Sequence, residues 1–124
     1  MLPAQARLRR RPEFTAVVRT GRRAGRPTMV LHYLPERPAQ PAGDLASPAV
    51  ARAGFVVGKS VGNSVVRHRV TRRLRAVVRA ELDRLPRGAD LVVRARPEAA
   101  EATSAVLQRD LTKGLDRLLG DGAR

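Results

Sequence analysis

The residues with the clearest chemical capability lie between Gly58 and Arg79 (GKSVGNSVVRHRVTRRLRAVVR), where Lys59, Arg67, Arg69, Arg72, Arg73, Arg75 and Arg79 follow one another with no carboxylate between them. Guanidinium groups are planar forks that bind phosphate through paired N–H donors and stack on bases, so such a run is suited to holding a polyanion. It is not suited to breaking bonds. The chain has two histidines, His32 and His68, on separate segments, and before Glu81 its only carboxylates are Glu13, Glu36 and Asp44. Neither a two-metal site nor an acid–base pair can be assembled from that set.

Positioning such a run requires a helix. With Val66 at zero and 100° per residue, Val66, Val70, Leu74, Val77, Val78, Leu82 and Leu85 fall between about 0° and 160°. Arg69, Arg72, Arg73, Arg75 and Arg79 fall between roughly 180° and 340°. The spacing predicts a helix over 64–85 with one apolar face and one basic ridge, and only Arg67, in the first turn, breaks the segregation. Solvated helix faces usually mix signs through i, i+4 pairs, and this one does not until Glu81 and Asp83. The preceding turn, Gly58–Asn63, is expected to present backbone N–H groups beside Lys59 at the helix N-terminus, where anions bind, although its spacing is not that of a P-loop.

The remaining elements follow from local chemistry. Pro12 opens and Gly21 closes a short helix carrying Phe14, Val17 and Val18. Strands are expected over 28–34 (TMVLHYL), 53–57 (AGFVV) and 90–95 (DLVVRA), with 22–25 as a further extended piece. Leu107, Leu111, Leu115, Leu118 and Leu119 give a last helix over 103–119. Residues 35–50, dense in proline, alanine and glycine, read as a flexible loop. His32 and Tyr33, adjacent in a strand, must point to opposite faces, one buried and the other available to a ligand. The order describes a single α+β domain spanning residues 1–124 with mobile ends, its helices packed on a small sheet, and the central strand–helix–strand stretch fits a parallel crossover.

Composition narrows the partner. The chain carries 25 basic and 11 acidic residues, a formal charge of +14. Residues 1–80 hold 17 basic and 3 acidic side chains, whereas residues 81–124 hold 8 of each, so the entire excess lies in the first two-thirds. That asymmetry points to one anion-binding side and to nucleic acid. Aromatic residues make up 2% of the chain, too few for a broad stacking platform. Cysteine is absent, which suits a reducing compartment. No secretory signal and no apolar stretch of ~18 residues can be read, so a cytoplasmic protein with no membrane partner is expected.

Residues Phe55–Arg79 (FVVGKSVGNSVVRHRVTRRLRAVVR), flanked by RLRRRPEFTAVVRTGRR and LPRGADLVVRARPEA, resemble the bacterial ribonuclease P protein component. The resemblance implies an αβββαβα fold of the ribosomal protein S5 domain 2 type, with a left-handed βαβ crossover and helices packed on one face of a twisted sheet. It implies a subunit that joins a catalytic RNA and assists removal of the 5′ leader from precursor transfer RNA. An RNA-binding set of Lys59, Asn63, Arg67, His68, Arg69, Arg72, Arg73 and Arg75 is carried over, as is a leader cleft of Phe14, Val18, Val30 and His32. No catalytic residue, no metal ligand and no small-molecule substrate are expected of the protein itself, and Mg2+ is expected to serve the ribonucleoprotein. The sequence departs from the family at His68 (usually asparagine), Thr71 (usually lysine), Gly58 and Ser60 (usually serine and lysine), Val18 (often phenylalanine) and His32 (often tyrosine). A ribosomal or RNA-chaperone protein with no role in cleavage fits the composition equally well, and the motif order favours the first reading.

Overall fold

The computed structural model describes residues 6–8, 10–36 and 50–120. Most of the loop expected over 35–50, and the chain ends expected to be mobile, lie outside the described residues. The elements run α1 (Arg11–Thr20), β1 (Arg22–Gly25), β2 (Met29–Leu34), β3 (Arg52–Val56), α2 (Ser64–Glu81), β4 (Asp90–Ala95) and α3 (Ser104–Leu118).

Each helix starts where an oxygen can take up an orphaned N–H. Glu13 Oε1 accepts from the Arg10 N–H at 3.0 Å ahead of α1, Asn63 Oδ1 from Val66 at 3.0 Å ahead of α2, and Thr103 Oγ1 from Val106 at 3.2 Å ahead of α3. Helix α2 tightens into a 3-10 turn over Leu82–Arg84, so the expected end near Leu85 holds. A second 3-10 turn, Pro97–Glu101, follows β4 where the sequence suggested only a strand end.

The sheet order is β1-β2-β4-β3. Both β1 and β4 run antiparallel to β2, while β3 and β4 are parallel, which makes β3–α2–β4 a crossover between neighbouring strands. Strand alternation then sorts the side chains. Met29, Leu31, Tyr33, Leu91 and Val93 pack with Val70, Leu74, Val77 and Val78 of α2 and Leu107, Leu111 and Leu115 of α3 in the main core. The opposite face carries a second, smaller core of Leu8, Val17 and Val92, with Phe14 and Leu34 against it.

The expectation that the helices share one face is therefore corrected: α2 and α3 cover one face and α1 the other. Gly54 makes that second layer close. A Cβ at Gly54 would lie 2.5 Å from the Phe14 ring, so Phe14 rests directly on the β3 backbone. Arg52 fastens α1 in place, bonding Asp90 through Nε (2.9 Å) and Nη2 (2.8 Å) and Glu13 through Nη1 (3.0 Å). On the other side Asp110 of α3, fully buried, accepts from the Thr28 N–H (3.0 Å) and hydroxyl (2.6 Å) at the β1–β2 turn.

Candidate nucleic-acid interface

The buried stripe of α2 matches the wheel: Val70, Leu74, Val77, Val78 and Leu85 are buried, and Val66 and Leu82 half-buried. The basic side is divided. Arg69 and Arg73 lean toward the segment after β4, where Arg69 Nη2 donates to the Ala100 carbonyl at 3.1 Å and Arg73 Nη1 to the Ala102 carbonyl at 2.9 Å. Those carbonyls lie at the end of the 3-10 turn, where helical geometry leaves acceptors unsatisfied and cations are favoured. The single ridge read from the wheel is thus two rows, one of them tied to the protein.

The other row faces a groove lined by Val57, Ser64, Arg67, His68, Thr71, Arg72 and Arg75. Arg67 belongs here rather than against the core, its Nε buried and without a hydrogen-bond partner among the described residues. The Thr71 hydroxyl donates to the Arg67 carbonyl at 2.8 Å. His68 and Arg72 are exposed. Among the described residues, no carboxylate pairs with Arg67, Arg69, Arg72, Arg73, Arg75 or Arg79.

Four acids of the last third, Glu81, Asp90, Asp110 and Asp116, serve the fold instead. Glu81 binds Arg84 at 3.1 Å and also accepts from Gln108 and Thr112 of α3, and Arg84 reaches Asp116 at 2.7 Å. The charge asymmetry of the sequence has a structural meaning: acids consolidate the α2–α3 and sheet contacts and leave the groove uncompensated.

The turn before α2 differs from expectation. The Val61 and Gly62 N–H groups donate to the carbonyls of Gly58 and Lys59 (both 3.1 Å), and Gly62 adopts φ +155°. With Asn63 capping Val66, only the Ser64 and Val65 N–H groups at the helix start have no partner among the described residues. Lys59, Ser60 and Asn63 are exposed, so the turn offers the Lys59 ammonium and the Asn63 amide more than a cradle of backbone donors.

On the α1 face the strand register brings two rows together. One is Arg23, His32, Val92 and Gly54; the next is Gly25, Val30, Arg94 and Val56. Val18 and Val56 are 39% and 40% exposed, and Arg23 and Arg94 stand in solvent beside them. The structure therefore sets Val30 and His32 on adjacent rows of this face, with Phe14 over Gly54 at its β3 end. Arg23, Arg94 and Val56 share those rows, a neighbourhood that cross-strand register creates and one sequence does not show.

His32 and Tyr33 do point to opposite faces, but both are buried, which corrects the expectation that one is open. Burial, reinforced by Arg94 and Arg23, pushes the His32 imidazole below its ordinary value, so it is neutral at neutral pH. Its Nε2 has no hydrogen-bond partner among the described residues. Among the described residues no histidine or carboxylate cluster could hold a metal ion, and no helix is long and apolar enough to cross a membrane.

The family described as Ribonuclease P matches residues 2–119. The chain is 53% identical to the Ribonuclease P protein component of Streptomyces griseus over the full length of both proteins. It is 48% identical to the protein of the same name from Corynebacterium diphtheriae, covering 95% of this chain and 97% of that one. Among solved structures, the RNase P protein of Thermotoga maritima superposes with a TM-score of 0.70 at 22% identity, covering 90% of this chain and 96% of that one. The Staphylococcus aureus RNase P protein gives 0.71 at 21% identity, covering 90% and 93%. These likenesses in structure show a shared fold.

Proposed function

The chain belongs to the ribonuclease P protein family, and on that premise we propose that it is the subunit that holds a catalytic RNA and the 5′ leader of precursor transfer RNA during endonucleolytic 5′ maturation. The observation that carries this reading is the groove of Arg67, His68, Arg72 and Arg75, cationic and unmatched by any carboxylate among the described residues. A phosphate backbone supplies the missing charge, and each phosphate neutralised releases condensed counterions. Lys59 and Asn63 extend the surface at the start of α2. Arg69 and Arg73 sit on the far flank and contribute to the field more than to contacts.

The cleft of Phe14, Val18, Val30 and His32 takes single-stranded leader, with Arg23 and Arg94 at its rim for phosphates. Its walls are aliphatic apart from Phe14 and the His32 ring, so it holds leader bases largely by apolar contact. The protein's part in the reaction is to bind and orient, which lowers the barrier without a reacting side chain. The chemistry and its Mg2+ belong to the RNA, and the enzyme is the ribonucleoprotein, working in the bacterial cytoplasm where transfer RNA is matured.

The test is reconstitution with the cognate catalytic RNA at low magnesium. Adding the protein should raise the affinity for precursor transfer RNA, and more for a substrate with a leader than for one without. Cleavage that is unchanged across salt and magnesium would leave a ribosomal or chaperone role as the better reading.

A further inference from the structure

The last third of the sequence is neutral in sum, yet the surface its final helix builds is not. Both acids of α3 are engaged: Asp110 is fully buried and accepts from Thr28, and Asp116 takes Arg84 at 2.7 Å. What α3 turns to solvent is Arg109, Lys113 and Arg117, all exposed. At a spacing of four residues they stand within about 40° of one direction and about 6 Å apart along the axis. Like charges at i, i+4 weaken the helix that carries them.

Helix α3 lies over β1 and β2, and Gly114 lets it come close: a Cβ there would lie 2.5 Å from Leu31 Cδ1 and 3.6 Å from Arg26 Cγ. That approach sets Arg26 beside the row. Arg22 joins it at the other end of β1, where it lines one cavity with Leu118. A single carboxylate answers these five cations. Asp110 Oδ1 lies 3.7 Å from both Arg26 Nη2 and Arg109 Nε and accepts a hydrogen bond from neither. No carboxylate pairs with Arg22, Lys113 or Arg117 among the described residues.

This face lies at the opposite edge of the sheet from the arginine groove, since β1 and β3 are the outer strands, about 14 Å apart across three strand spacings. Its chemistry narrows the partner. The large apolar side chains exposed among the described residues, Val18, Val56 and Val65, all lie elsewhere, so the face has nothing to bury in a lipid surface. Tyr33, the aromatic residue of this side, is buried, so bases have nothing to stack on. Cations without apolar or aromatic company hold phosphates and read no sequence, and a straight row of them suits the regular backbone of a duplex.

We propose that the α3–β1 face is a second RNA-binding surface, holding the phosphate backbone of a duplex segment of the catalytic RNA other than the one in the α2 groove, so that the protein bridges two segments of one RNA. This rests on the reading of the chain as the subunit that holds that RNA.

The double variant Lys113→Ala/Arg117→Ala removes two side chains that have no partner among the described residues, so its Tm should match wild type. Its affinity for the catalytic RNA should fall roughly tenfold at physiological salt, and the plot of log affinity against log salt should flatten by about 1.8, two duplex phosphate contacts at ~0.9 each. An unchanged affinity and slope overturn the proposal. If Arg72→Ala still flattens the plot in the same assay, the α2 groove and the reading built on it stand; if neither variant does, both fall. Weakened binding to phosphatidylglycerol vesicles with RNA binding intact would overturn the proposal in favour of a membrane surface.

A second measurement reads position. The chain has no cysteine, so Lys113→Cys and His68→Cys each provide a single attachment point for an iron chelate. Hydroxyl radicals released from position 113 should cut a duplex segment of the catalytic RNA that radicals from position 68 leave intact. No cuts from position 113, or cuts from both confined to one segment, would contradict the proposal.

Discussion

On one flank of α2 the guanidinium groups of Arg69 and Arg73 end on the carbonyl oxygens of Ala100 and Ala102. On the other, Arg67, Arg72 and Arg75 end in a groove where none of the described residues receives them. The residue type is the same and the helix is the same; the neighbour differs. Where a 3-10 turn presents unsatisfied carbonyls, arginine becomes part of the fold. Where nothing faces it, the charge is left for a partner. Counting arginines on a helix therefore overstates its binding surface, and removing them one at a time should separate the two roles.

The largest effect is expected in the groove. Replacing Arg72 and Arg75 together by alanine should weaken binding to the catalytic RNA by on the order of tenfold to a hundredfold at physiological salt. This allows ~1 kcal/mol per exposed charge-assisted contact. The melting temperature should hardly move, and thermal melts beside filter-binding titrations would check both halves.

Arg73→Ala should do the reverse. It strands the Ala102 carbonyl and should lower stability by about 1 kcal/mol, a fall of roughly 4 °C in Tm for a domain of this size. A Tm within a degree of wild type would return Arg73 to the binding surface.

Asn63 sharpens the comparison because it stands in both camps. Its oxygen caps α2, while its exposed amide faces outward. Asn63→Asp keeps the capping oxygen and should hold stability within about 0.5 kcal/mol while weakening RNA binding, whereas Asn63→Ala should cost about 0.5–1 kcal/mol. If both variants melt like wild type, the cap contributes nothing.

The smallest effect concerns His32. Its folded pKa is depressed by burial and by Arg94 and Arg23, so the unfolded chain takes up a proton that the folded chain refuses. Stability should fall as pH drops through the ordinary histidine range near 6.5 toward the folded value. Denaturant melts of wild type and His32→Phe should diverge between about pH 7 and 5.5, with the variant the flatter. Parallel curves would mean that the imidazole is protonated as readily in the fold as out of it.

What the sequence made legible is local or periodic. The buried stripe of α2, the leucine stripe of α3 and the strands at 29–34, 52–56 and 90–95 lie within a residue or two of their expected limits. Each is dictated by side-chain period and by nearby stops, so a single chain suffices to see it. What escaped depends on segments distant in sequence. The wheel places Arg69 and Arg73 on a polar side, but it cannot know that residues 97–102 fold beneath them. Arg23 and Arg94 come beside His32 and Val30 only through the register of β1, β2 and β4. The position of α1 on the opposite face turns on Phe14 finding Gly54 some forty residues away, and neither residue signals the other.

The most direct test of the division along α2 is the salt dependence of binding to the catalytic RNA, measured for Arg72→Ala and Arg73→Ala side by side at temperatures where both are folded. The plot of log affinity against log salt should flatten by roughly 0.7–0.9 for Arg72→Ala, the loss of one phosphate contact, and keep its wild-type slope for Arg73→Ala. Equal flattening in both would show that the ridge binds as one surface, and would contradict the division.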